Sequence, residues 1–80
     1  MNKLEQKLIE LGYELYDEIL NVYIKKVYVS HYIAIFVNDI ENSRVWTKKQ
    51  QYYNEKDIDT LTQALKQMQK DLEELRKYET

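Results

Sequence analysis

The apolar positions divide the chain into two helical stripes on either side of a β-rich middle. Leu4, Leu8 and Leu11 recur at helical spacing. Asn2 stands before them as an N-cap, and Glu5, three positions on, completes a capping box. Gly12 sits where a left-handed residue ends a helix, so the first helix is predicted to stop there. The alternative is a stripe running on through Leu15 and Ile19, with Gly12 as a helix-interior residue at a cost of about 1 kcal/mol.

Leu20 to Val29 is dense in β-branched and aromatic residues and reads as a strand. Leu20, Val22 and Ile24 share one parity, Tyr23 and Lys25 the other. Val27 and Val29 then fall on the Lys25 side, so a bulge is expected near Lys25-Lys26. Ser30-His31 reads as a turn. Tyr32 to Val37 follows as a strand that is apolar on both faces and therefore central. Turn chemistry at Asn38-Asp39 and Glu41-Asn42-Ser43 leads into a shorter strand from Arg44 to about Lys49. Gln50 to Asn54 reads as a connection.

The last element is a long helix in which Ile58, Leu61, Leu65, Met68, Leu72 and Leu75 are spaced 3, 4, 3, 4, 3. Asn54 or Asp57 can cap it, acids crowd its first turn, and Arg76 and Lys77 suit its C-terminal dipole. The order α-β-β-β-α predicts a single α+β domain over residues 1–80. Its three-stranded antiparallel sheet carries both helices on one face. A helix over residues 57–78 spans about 33 Å, against about 23 Å for a seven-residue strand, so it overhangs the sheet. Ala64 widens the stripe beside Leu61, Leu65 and Met68, which suits packing on the sheet. Towards Leu72 and Leu75 it narrows to a helix–helix seam. Met68, Leu72 and Leu75 are therefore expected to form a homodimer seam, the alternative being that the first helix covers Leu72 and Leu75 within one chain.

Composition bounds the chemistry. At 9.8 kDa, folding hides about two-thirds of the chain's surface, enough for one modest core. With no cysteine, no proline and one glycine, disulfides, thiolate zinc sites, cysteine nucleophiles and glycine-rich phosphate loops are excluded. No apolar run approaches the roughly 20 residues of a membrane span, and the first residues lack a signal-peptide core. The expectation is a soluble cytoplasmic protein with no membrane partner. His31 is the one histidine, which rules out a histidine-based metal site within one chain. Ser30 adjoins it, but neighbouring residues of a strand or turn are expected to point apart, with no acid to orient a dyad. Asp57/Asp59 and Glu73/Glu74 read as solvated helix faces. The expectation is a non-enzyme with no catalytic residue, cofactor or metal.

Binding features are more prominent. Of 8 tyrosines, seven lie between Tyr13 and Tyr53. The net charge of −2 is unevenly spread, since residues 19–53 are basic and both ends are acidic. With both helices on one face, parity assigns Tyr23, Lys25, Tyr32, Phe36, Arg44, Trp46 and Lys48 to the other. Aromatic residues and Arg are the types that dominate binding hot spots. Such a platform can take a protein partner, or can stack single-stranded bases while its cations follow the phosphates. Nothing in the sequence obliges Trp46, between Arg44 and Lys48, to be buried.

Two segments, Lys7-Leu-Ile-Glu-Leu-Gly-Tyr-Glu14 and Leu65-Lys-Gln-Met-Gln-Lys-Asp-Leu-Glu-Glu-Leu-Arg-Lys-Tyr-Glu79, carry a resemblance. In them the chain resembles small proteins encoded by phages and prophages of low-GC Gram-positive bacteria. The resemblance implies an accessory protein in the infected bacterial cell that binds and redirects or inhibits a host protein, defence nucleases included. It supplies no site residues. The element order is also similar to the double-stranded-RNA-binding fold. That family's basic run at the start of its last helix is replaced here by Glu55-Lys56-Asp57-Ile58-Asp59, so its RNA contacts do not carry over. A host-protein partner held on the aromatic-basic face, with the protein a homodimer, is the leading expectation. Nucleic acid on the same face is the alternative.

Overall fold

The computed structural model describes residues 2–28, 30–47 and 55–78. Its elements are α1 (Lys3–Glu10), β1 (Glu14–Asp17), β2 (Val22–Tyr28), β3 (His31–Phe36), a single 3₁₀ turn at Ile40–Asn42, β4 (Arg44–Thr47) and α2 (Glu55–Arg76). The strands form one antiparallel meander in the order β1-β2-β3-β4. Both helices contribute to one core with a single face of this sheet. The fold is thus α+β with a long C-terminal helix as predicted, but the sheet has four strands rather than three. Among the described residues, no helix is long and apolar enough to cross a membrane.

The ends of α1 follow their sequence signals. Asn2 Oδ1 accepts the backbone N–H of Glu5 at 2.8 Å. At the other end Gly12 adopts φ +97°. Its N–H bonds the carbonyl of Ile9, and the N–H of Tyr13 bonds that of Leu8. This is the Schellman arrangement, completed by burial of Leu8 and Tyr13 in the same core cluster. The chain leaves α1 already turned towards the sheet, and Glu14–Asp17 pairs with β2 as its edge strand.

β2 bends where its pairing slips, between Lys26 and Tyr28, within two residues of the expected bulge. Its parity, however, is the reverse of the aliphatic reading. Tyr23 is 6% exposed in the helix-covered core, and Val27 packs against that core. Val22, Ile24 and Lys26 lie on the opposite face with Tyr32, Ala34 and Phe36. Lys25 therefore points beneath the helices. Its Nζ donates to Asp71 Oδ2 at 2.6 Å and to the carbonyl of Leu11 at 3.1 Å, and sits 4.6 Å from the centre of the Tyr13 ring. Tyr13 Oη donates to the same Asp71 oxygen at 2.7 Å, and Gln67 Nε2 donates to Oδ1 at 3.0 Å. One buried carboxylate thus ties α2 to β2, to Tyr13 just beyond α1 and, through Lys25, to the carbonyl of Leu11 that caps α1. A cation there also suits the negative end of the helix dipole.

The expected dimer seam is corrected by this packing. Met68, Leu72 and Leu75 are 6%, 4% and 0% exposed and belong to the core of the single chain, with Leu8, Tyr13, Ile33 and Ile35. The reason is the placement of α1, which lies beside the C-terminal half of α2. Lys7 Nζ is 4.0 Å from Glu74 there. That half receives sheet and helix cover together, whereas Ile58 and Leu65 in the other half are exposed. Asp57 lies inside α2, in its first turn, rather than at the N-cap position; Asn54 and the connection assigned to 50–54 fall outside the described residues.

Desolvation raises the Tyr13 hydroxyl well above the ordinary tyrosine value of 10.0, and the hydrogen bond to Asp71 and its charge add to the rise. A proton held more tightly in the folded state stabilises the fold fully below that ordinary value. The contribution is lost as pH climbs beyond it, because the unfolded chain releases the proton first. Tyr13→Phe should cost about 1–2 kcal/mol near neutrality, since Asp71 keeps its Lys25 and Gln67 bonds. It should also flatten the loss of stability between about pH 8 and about pH 11. Urea unfolding at the two pH values checks both effects.

Candidate protein-docking face

The face of the sheet away from both helices is built by register. Tyr32 stands opposite Trp46, Ala34 opposite Arg44, and Val22 opposite Phe36. Tyr16, from the irregular end of β1, meets Trp46 edge-on at 5.4 Å between ring centres, and Phe36 meets the other side of Trp46 at 6.2 Å. Arg44 lies over the Phe36 ring at 5.3 Å. The three rings form a continuous layer across the sheet from edge strand to edge strand. Ala34 and Val22, on the same face, are almost fully buried although no helix covers them. Trp46 is half-buried, so this layer is a satellite apolar cluster as well as a surface.

Next to the layer lies a cavity of about 330 Å³ lined by Tyr16, Ile24, Tyr32, Trp46 and Thr47. Among the described residues its lining holds no ionisable group except tyrosine, which suits an apolar side chain better than a charged metabolite. A second recess, of about 360 Å³, shares Ile24 and Tyr32 with the first and is lined also by Gly12, Glu14, Lys25 and Lys26. Lys26 and Arg44 are the basic groups that the described strands place on this face, and Glu14, opposite Ile24, offsets one of them.

Of the residues assigned to this face from sequence, Tyr32, Phe36, Arg44 and Trp46 lie on it. Lys48 lies outside the described residues. Tyr23 and Lys25 are on the other side, because the β2 parity is set by the Asp71 bond rather than by the aliphatic residues. Tyr16 and Ile24 were not assigned to it. Tyr16 belongs to a strand of only four residues, and Ile24 to the parity that looks like core. Glu14-Leu15-Tyr16-Asp17 sets two apolar residues side by side between acids, so no period-two signal points to the first.

Ser30 and His31 do not point apart as adjacency implies. Ser30 Oγ lies 3.3 Å from His31 Nδ1. The imidazole, however, is 1% exposed, and among the described residues its Nε2 has no hydrogen-bond partner. Among the described residues no group of three or more histidines, cysteines or carboxylates is placed to hold a metal ion. Comparison with protein families, with characterised proteins and with solved structures found no match to this chain.

Removing one ring tests whether the layer is a separable unit. Trp46→Ala should lower stability by about 1–3 kcal/mol, the worth of two edge-on ring contacts and a half-buried indole. Unfolding should stay cooperative, because the helix-side core is untouched. Thermal unfolding followed by circular dichroism checks this, and loss of a cooperative transition would place Trp46 in the main core.

Proposed function

We propose that this protein is a small interaction module of phage type that docks a host protein on the ring layer of its uncovered sheet face, and so redirects or inhibits that protein. The observation that carries the reading is the Tyr16–Trp46–Phe36 layer beside an apolar cavity, on the face that neither helix covers. Aromatic residues and Arg are the usual hot-spot types, and a shallow recess between rings fits one bulky apolar side chain of a partner. The occupant proposed is therefore a protein segment with such an anchor, next to a carboxylate that can meet Arg44. The reading is of binding rather than catalysis. The compartment in which it acts is the cytoplasm of the bacterial host.

The charge on the face favours protein over nucleic acid. A nucleic-acid platform would depend on the five basic residues of the middle of the chain, Lys25, Lys26, Arg44, Lys48 and Lys49. The Lys25 charge is spent on Asp71 beneath the helices. A strand of phosphates would find Lys26 and Arg44 beside Glu14 on the described part of the face, a thin footprint for an interaction driven by counterion release.

A partner captured from host lysate with nuclease present, then purified and titrated, tests the reading. Trp46→Ala and Tyr16→Ala should each weaken its binding by about 2 kcal/mol or more, the hot-spot threshold, with circular dichroism preserved. Affinity should change little with salt. A partner released by nuclease, or a steep salt dependence relieved by Arg44→Ala, would move the face to nucleic acid. Binding indifferent to both ring deletions would remove the site.

A further inference from the structure

α2 carries a second apolar line that the core does not use. Its buried residues are Ala64, Met68, Asp71, Leu72 and Leu75. Ile58 and Leu65 are 53% and 41% exposed, and Leu61 between them is half-buried. The three follow one another at steps of three and four, so they share a line beside the buried one, along the N-terminal half of the helix. The charges flanking this line are ordered. Glu55, Asp57 and Asp59 outnumber Lys56 at its start, while Lys66 and Lys70 follow with no acid before the core-facing Asp71.

We propose that two copies of this chain pair through this line with their α2 helices antiparallel. The order of charges supports this occupant and this orientation. Asp59 with Lys66, and Glu55 with Lys70, are centred on the same point, between Thr62 and Gln63. Ile58 and Leu65 are centred one residue away, about 1.5 Å along the axis. A two-fold axis near that point sets Ile58 against the partner's Leu65, Asp59 near the partner's Lys66 and Glu55 near the partner's Lys70, each contact made twice. A parallel pair would put this charged flank of each copy on opposite sides of the seam, so none of these ion pairs could form and the antiparallel arrangement is favoured. The seam is distinct from Met68, Leu72 and Leu75, which stay in the monomer core. It is short, so the dimer is weak and concentration-dependent. Paired this way the two copies would present two ring layers, which raises the apparent affinity for any partner with two sites.

Analytical ultracentrifugation from micromolar to near-millimolar protein tests the proposal. The wild-type mass should rise from 9.8 kDa towards twice that value. Leu65→Glu should remain at the monomer mass at every concentration with its helical circular dichroism intact. Asp59→Lys should weaken association by about tenfold. The double variant Asp59→Lys with Lys66→Glu should restore it, because both members of each cross-pair are then exchanged. A wild-type mass of one chain at all concentrations would overturn the proposal. So would an undiminished dimer in Leu65→Glu, or a double exchange that leaves association as weak as the single one.

Discussion

The bond between Lys25 and Asp71 decides which way the sheet faces. Asp71 lies on the buried track of α2 and is 3% exposed, so its charge needs a partner inside the core. Lys25 supplies it from β2, and the rest of that strand follows by alternation. Tyr23 and Val27 go inward with the lysine. Val22, Ile24 and Lys26 go outward. A one-residue slip would carry Lys25 to the far face and leave Asp71 buried with Tyr13 and Gln67 as its remaining donors. The same ammonium closes the end of α1 through Leu11, and Gly12 leaves it room: a β-carbon there would sit 3.3 Å from Lys25 Cδ.

A buried ion pair of this kind adds little net stability compared with a well-packed apolar pair, but removing one member is costly. Its effect here is to specify one arrangement. With the parity of β2 settled, the outer face receives the small Ala34 and Val22 at its centre and the rings of Tyr16, Phe36 and Trp46 around them. The docking face is in this sense a consequence of chemistry on the other side of the sheet. Taking Lys25 inward also removes a cation from the outer face, which leaves a surface whose character is aromatic more than basic.

Local signals in the sequence were legible. The Asn2 cap, the stop at Gly12, the bulge after Lys26, the central strand from about Tyr32 and the long last helix each rest on residues within a turn or two of one another. What was not legible depends on distant partners. Lys25 and Asp71 are 46 positions apart, and without that contact Val22 and Ile24 look like the inward residues. The polarity of Asp71 on the track Ala64, Met68, Asp71, Leu75 was the one available hint. β1 escaped because its four residues show no alternation, and the turn after it uses Asn21 at φ 54° rather than a glycine. The buried half of α2 was misplaced because nothing local says which half a short α1 will lie against. Hence alternation along the sequence places Tyr32, Phe36, Arg44 and Trp46 on the face they occupy, misplaces Tyr23 and Lys25, and gives no sign of Tyr16.

A double-mutant cycle between Lys25 and Asp71 tests the central claim most directly. Lys25→Met, Asp71→Leu and the double variant would be unfolded with urea, in sulfate buffer so that the weakened singles keep a folded baseline. Each single change should cost about 3–5 kcal/mol, because it leaves a charge in the core without its counter-charge. The double variant should cost less than the two together by at least about 2 kcal/mol. Singles that add within about 0.5 kcal/mol would mean that the two charges do not meet in the core, and the assignment of the two sheet faces would fall with them.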